Sequence, residues 1–208
     1  MSGPPSPCLE PPRYPLLIVL SGPSGVGKDA TLNWIRRLDR QLSIVVTATT
    51  RPKRPGETDG VDYLFLDADT FEGMVAGGEF LEHAEVYGNR YGSPKSQVRE
   101  AMAAGRDVIL KVDVQGAVSI KALAPDAVSI FLVSSSMAEL ERRLHARATE
   151  TRRDLRIRTE IALQEMESLP DFDYRVVNRD GCLEETVAAI EAIIRAEKCR
   201  IPPRRVSM

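Results

Sequence analysis

Leu16-Leu17-Ile18-Val19-Leu20-Ser21-Gly22-Pro23-Ser24-Gly25-Val26-Gly27-Lys28-Asp29 decides how this chain is read. An apolar run of strand length meets three glycines and a lysine. From Ala30 to Leu38 apolar residues then recur at helical spacing, so the segment reads as buried strand, tight turn and helix. Glycines let backbone amides converge on phosphate oxygens, a helix N-terminus adds partial positive charge, and Lys28 can reach the outer phosphates of a nucleotide. Gly22, Pro23, Ser24, Gly25, Val26, Gly27, Lys28 and Asp29 are therefore candidates for a nucleotide cradle. One position departs from the phosphate-loop pattern. A Ser or Thr whose hydroxyl ligates Mg2+ ordinarily follows the lysine, and Asp29 stands there instead. The competing reading is an ordinary glycine-rich turn between a strand and a helix.

Outward from this loop, short β-branched runs alternate with amphipathic stretches: Val108 to Val114 then Val118 to Leu123, and Ala127 to Val133 then Met137 to Ala146. That alternation predicts parallel βαβ units, an α/β fold with helices on both faces of the sheet. A strand at Tyr174 to Val177, a turn at Asn178 to Gly181 and a helix from Leu183 to Lys198 close the pattern. The rhythm breaks between about Ile44 and Gly92, where Gly and Arg are frequent and Gly88-Asn89 marks a hairpin turn; residues 47–92 read as an inserted subdomain. Seven arginines fall between Arg142 and Arg158, and residues 141–166 read as a helical lid. The core is then 16–46, 93–140 and 167–200.

Residues 1–15 hold six of the fourteen prolines and read as a disordered leader, and the basic tail 201–208 looks similar. Of the 208 residues, 43 % are hydrophobic and 28 % charged, with formal net charge −2, the balance of a globular protein with a sizeable core. No apolar run approaches membrane-spanning length and no signal peptide is evident, so a cytoplasmic location is expected. Cys8, Cys182 and Cys199 lack metal-ligand spacing and read as free thiols. Near-neutral charge argues against a dedicated nucleic-acid binder, and the lack of a long apolar run against a membrane partner.

The insertion contains Thr47-Ala-Thr-Thr-Arg51-Pro-Lys-Arg54, then Asp62-Tyr63, Glu79-Phe-Leu-Glu82 and Gly88-Asn-Arg-Tyr91-Gly-Ser93. Arg51 and Arg54 can present planar forks to a phosphate, and the Tyr63 and Tyr91 hydroxyls can donate to the same group. A solvated basic loop or a nucleic-acid patch is the alternative. With these segments the sequence resembles the guanylate kinase family from about Leu16 to Lys198, and the resemblance implies ATP-dependent phosphorylation of GMP, with ATP and Mg2+ as cofactor and metal. It implies that Glu82 accepts both N–H donors of guanine while Ser93 and Thr47 donate to O6, with Asp113 also on the substrate side. It further implies that the lid residues Arg147 and Arg158 join Lys28 in neutralising the transferred charge, and that Asn178 contacts adenine. A monomer or homodimer is expected.

Where the family carries Leu-Asp-x-Asp-x-Gln-Gly, this chain has Leu110-Lys111-Val112-Asp113-Val114-Gln115-Gly116. Lys111 thus replaces an aspartate just where Asp29 introduces one, so Asp29 is expected either to ligate Mg2+ or to pair with Lys111. Two other readings compete: a ribose 1,5-bisphosphate kinase, whose related phosphate loop also ends in Gly-Lys-Asp, and a catalytically inactive guanylate-kinase-like binding module. The first would have little use for Glu82, and the second usually lacks an intact phosphate loop.

Overall fold

Strand β1, Leu17–Ser21, is buried along its whole length. This is why its sequence shows no polar alternation: a central strand of a parallel sheet is covered on both faces. A computed structural model, describing residues 14–38, 42–86, 88–146 and 152–206, sets β1 at the centre of a five-stranded sheet. Beside it lie β2 (Leu42–Ile44), β7 (Asp107–Lys111), β8 (Val128–Val133) and β9 (Tyr174–Val177), in the order β2-β7-β1-β8-β9. Every pairing is parallel, with Ile18 opposite Ile109 on one side and Val128 on the other.

Alternate residues of β1 and β7 feed two cores. Ile18, Leu20, Ile109, Ile130 and Leu132 pack against Leu32 and Ile35 of α1 (Lys28–Arg37) and Val187 and Ile190 of α7 (Leu183–Lys198). Leu17, Val19, Val108 and Leu110 pack on the other face against Val98 and Ala101 of α3 (Lys95–Ala103) and Ala117 and Ile120 of α4 (Val114–Leu123). The run expected to stay extended to Val114 leaves the sheet at Lys111. Asp113 stops it by accepting a hydrogen bond from the Gly116 N–H at 2.7 Å, an N-cap that starts α4.

The insertion forms its own four-stranded sheet, β4-β3-β6-β5, from β3 (Ala48–Thr49), β4 (Leu64–Phe65), β5 (Phe80–Val86) and β6 (Asn89–Pro94). Helix α2 (Ala68–Ala76) covers it, with Phe71 stacked on Phe80 at 4.7 Å. In the hairpin, Asn89, expected in the turn, already pairs with Val86 as part of β6. The lid boundary expected at residue 141 falls inside α5 (Met137–Ala146), whose Leu140 and Leu144 are buried in the main core. Helix α6 (Arg152–Glu167) follows and buries Ala162 there too. Among the described residues no helix is long and apolar enough to cross a membrane.

The tail is held more firmly than its composition suggests. The Arg204 guanidinium, 9 % exposed, makes two hydrogen bonds to Glu197 at 2.8 and 2.9 Å, and Glu197 is 3 % exposed. Tyr174 donates to the same carboxylate at 2.6 Å. Arg205 lies over the ring of Tyr14, whose carbonyl accepts from Lys198 at 2.7 Å, so the described end of the expected leader is anchored as well. Removing one member of a buried pair strands the other's charge. Arg204→Ala is therefore expected to lower the unfolding free energy by about 3 kcal/mol in chemical denaturation.

Candidate active site

Parallel strands that end together leave their loops on one edge, and here β1 delivers the glycine-rich loop and β7 delivers Lys111, Val112 and Asp113 to the same place. The loop, β7 and the inserted sheet enclose a cavity of about 630 Å³. Pro23 to Asp29 form one wall, Thr47, Arg51, Arg54, Tyr63, Glu82 and Tyr91 the other, and Arg158 and Glu165 reach in from α6. Fifteen of the candidate site residues expected from the sequence, and Lys111 with them, are thus brought together around one space. Gly22, Ser93 and Asn178 stand behind its surface. Arg147 lies outside the described residues.

The loop is shaped by contacts from behind. Gly27 adopts φ 100°, and a Cβ there would lie 2.4 Å from the Asn178 amide nitrogen, so both the backbone and the close approach require glycine. Asn178 uses that nitrogen to donate to the Val26 carbonyl at 2.8 Å, and its oxygen accepts from Thr186 at 3.1 Å. The side chain expected on adenine is therefore spent on fixing the loop. Arg143 joins it, donating to the Val26 carbonyl at 3.0 Å and the Asn178 carbonyl at 2.9 Å. Sequence alone gave no reason to separate Arg143 from its neighbouring arginines.

Lys28 donates to the carbonyls of Gly22 and, at 3.2 Å, Pro23. Protein packed around it lowers its pKa, opposed chiefly by the Glu165 carboxylate. Glu165 also accepts the Ser24 backbone N–H at 3.1 Å, so a lid carboxylate occupies one of the loop's amide donors. Burial raises the pKa of Glu165, with Lys28 pulling the other way. Asp29 pairs with Lys111 at 2.5 Å, within hydrogen-bonding distance, as one of its two expected roles requires.

Across the cavity, Arg51 is held by Glu57 at 2.7 Å and by the Pro52 carbonyl at 2.7 Å, and lies over the Tyr63 ring at 5.3 Å. Glu57 also accepts the Arg54 N–H at 2.7 Å and so organises the basic loop; it was missed from sequence, where one glutamate after Arg-Pro-Gly carries no distinguishing signal. Glu82 is 8 % exposed and accepts the Ser93 hydroxyl at 2.7 Å. Thr47 contacts the Lys111 carbonyl at 3.4 Å. Gly116 was quoted in the sequence but given no role, yet a Cβ there would sit 2.8 Å from a Glu82 oxygen. Burial pushes the Glu82 pKa up to about 7, against the lowering effect of the Ser93 bond and with the Asp113 charge adding to the rise.

A phosphate loop on the edge of a parallel sheet, faced by a second polar wall from an inserted sheet, places the chain among the P-loop α/β proteins. A family model described as guanylate kinase matches residues 14–197. The chain is 45 % identical over 201 residues to guanylate kinase 2, chloroplastic/mitochondrial, of Oryza sativa subsp. japonica, covering 96 % of this chain and 70 % of that protein. It is 44 % identical over 192 residues to a guanylate kinase of Carboxydothermus hydrogenoformans, covering 92 % of each. A crystal structure of guanylate kinase from Anaplasma phagocytophilum superposes with TM-score 0.74 at 33 % identity, covering 91 % of this chain and 89 % of that one. The chain belongs to the guanylate kinase family.

The buried carboxyl makes a direct prediction. In NMR titration Glu82 is expected to ionise near pH 7 rather than at the ordinary value of about 4.3. Because the Ser93 bond favours the charged form, Ser93→Ala should move the midpoint upward.

Proposed function

We propose that this protein transfers the terminal phosphoryl group of ATP to GMP or dGMP, yielding ADP and the guanosine diphosphate. The observation that carries this reading is the buried Glu82–Ser93 pair opposite the phosphate loop. Guanine presents N1–H and an exocyclic amine side by side, and an ionised carboxylate can accept from both. Adenine would leave that carboxylate unmatched, a mismatch that can discriminate by a factor of about 10⁴. A ribose bisphosphate acceptor has no base to engage it. A binding module would have no use for the Lys28 loop.

The acceptor needs no activation by an enzyme nucleophile, since a phosphate oxygen of GMP is itself the attacker. The new bond forms between that oxygen and the γ-phosphorus as the γ-phosphorus bond to the bridging oxygen of ADP breaks. This chain's contribution is alignment and charge. Arg51, Arg54, Tyr63 and Tyr91 orient the acceptor phosphate; Lys28 and the loop amides hold the donor, with Arg158 and the lid residue Arg147 adding positive charge. Glu165 must give up the Ser24 amide when phosphate takes it. Among the described residues no cluster of three acidic, His or Cys side chains could hold a metal by itself. A single carboxylate, Asp29, beside the phosphate loop suits Mg2+, which commonly takes one or two carboxylates and completes its shell with substrate phosphates and water. Asp29, half-exposed immediately after Lys28, would hold it. When bound, the ion neutralises phosphate charge.

In a coupled ADP-release assay, GMP and dGMP should be turned over and AMP and ribose 1,5-bisphosphate should not; equal rates with AMP would refute the reading. Glu82→Gln should raise KM for GMP about 100-fold or more while leaving KM for ATP unchanged. The parent's KM for GMP should fall as pH rises through about 7, because only ionised Glu82 accepts two donors. The Gln variant shares the titration of GMP's own phosphate, so it isolates the contribution of Glu82. Gly116→Ala, whose new methyl would meet a Glu82 oxygen at 2.8 Å, Val112 Cβ at 3.1 Å and Asp113 Oδ1 at 3.2 Å, should raise KM for GMP about 10-fold by displacing the Glu82 carboxylate.

A further inference from the structure

Lys111 stands at the end of β7 between the two walls of the cavity. Its ammonium donates to Asp29 at 2.5 Å on the phosphate-loop side and to the Tyr63 hydroxyl at 2.8 Å on the inserted-sheet side. It also lies 3.9 Å from the centre of the Tyr63 ring, which Arg51 approaches to 5.3 Å. An ammonium has three donors. Two are engaged, and the third has no acceptor among the described residues. Its side chain is 12 % exposed, and the surface it shows lines the cavity.

Stabilising the fold is a poor explanation for this placement. Asp29 is 48 % exposed, and an ion pair with one partner so well hydrated contributes little to folding, whereas enclosing a lysine is costly. Tyr63 accepts from Lys111 and thereby keeps its own O–H available to donate elsewhere. A cation and an oriented hydroxyl are thus presented together, beside Arg51, at the acceptor wall.

We propose that Lys111 is a ligand of the acceptor nucleotide's phosphate, held ready by Asp29 and acting together with Tyr63. The proposal rests on the reading that the acceptor is GMP. A dianionic phosphate outcompetes a single half-hydrated carboxylate for the ammonium, so Asp29 positions the lysine without permanently consuming it.

Calorimetric titration of the full chain with GMP and with guanosine, without ATP or Mg2+, tests this, because the difference between the two ligands isolates the phosphate. Lys111→Met should weaken GMP binding about 10-fold or more and leave guanosine binding unchanged. Lys111→Arg should retain most of the affinity. Lys111→Gln, which keeps a donor but loses the charge, substitutes if the Met variant does not fold. Asp29→Asn should leave GMP affinity equal or tighter, since it removes the competitor. A merely structural pair would make Asp29→Asn and Lys111→Met behave alike; that result, or unchanged GMP affinity in Lys111→Met, overturns the proposal. Should the parent bind guanosine no better than adenosine, the base assignment falls, while the GMP-minus-guanosine difference still reports on Lys111.

Discussion

The carbonyl of Val26 accepts two hydrogen bonds, from Asn178 and from Arg143, and the geometry of the whole cleft depends on them. A glycine-rich loop is floppy in isolation, because each glycine surrenders more conformational entropy on ordering than other residues do. Fixing its middle to α5 and to the segment after β9 turns that loop into a rigid set of donors. The same clamp gathers β1, β9, α5 and α7 around one backbone oxygen. Lys28 and Asp29 then leave the loop in fixed directions, one toward its own carbonyls and the other toward β7.

Cations of the cavity are matched by the protein's own carboxylates. Glu57 holds Arg51, Asp29 holds Lys111, and Glu165 sits near Lys28 on a loop amide. Such an arrangement balances the positive charge of the cleft with carboxylates from its own lining. It also explains why Glu82 behaves differently. Among the described residues it has no cation partner, only a hydroxyl, and burial therefore drives it toward the neutral form.

The parallel core was legible because buried strands and amphipathic helices write distinct periods; β9 and α7 begin and end where the pattern places them. Boundaries set by one polar side chain were harder. Asp113 ends β7 early through a cap, and Leu140 and Leu144 assign α5 to the core although the arginines around them suggested a lid. Within the site, residues that face the cavity carried recognisable types and spacing. Those that act through another residue did not, since Glu57, Arg143 and Gly116 gain their meaning from partners distant in sequence or from space left unfilled. The Asp29–Lys111 pairing was inferable because two departures from one pattern compensated each other.

Arg204, Glu197, Lys198, Asp107 and Tyr14 cluster where the parallel strands begin, whereas the glycine loop, Lys111 and Asp113 lie where those strands finish. Fastening and chemistry therefore occupy opposite poles of the molecule. Sequence drift at the first pole can tune heat tolerance across a lineage with little consequence for turnover at the second, a separation that proteins whose ends pack beside their reactive groups do not enjoy.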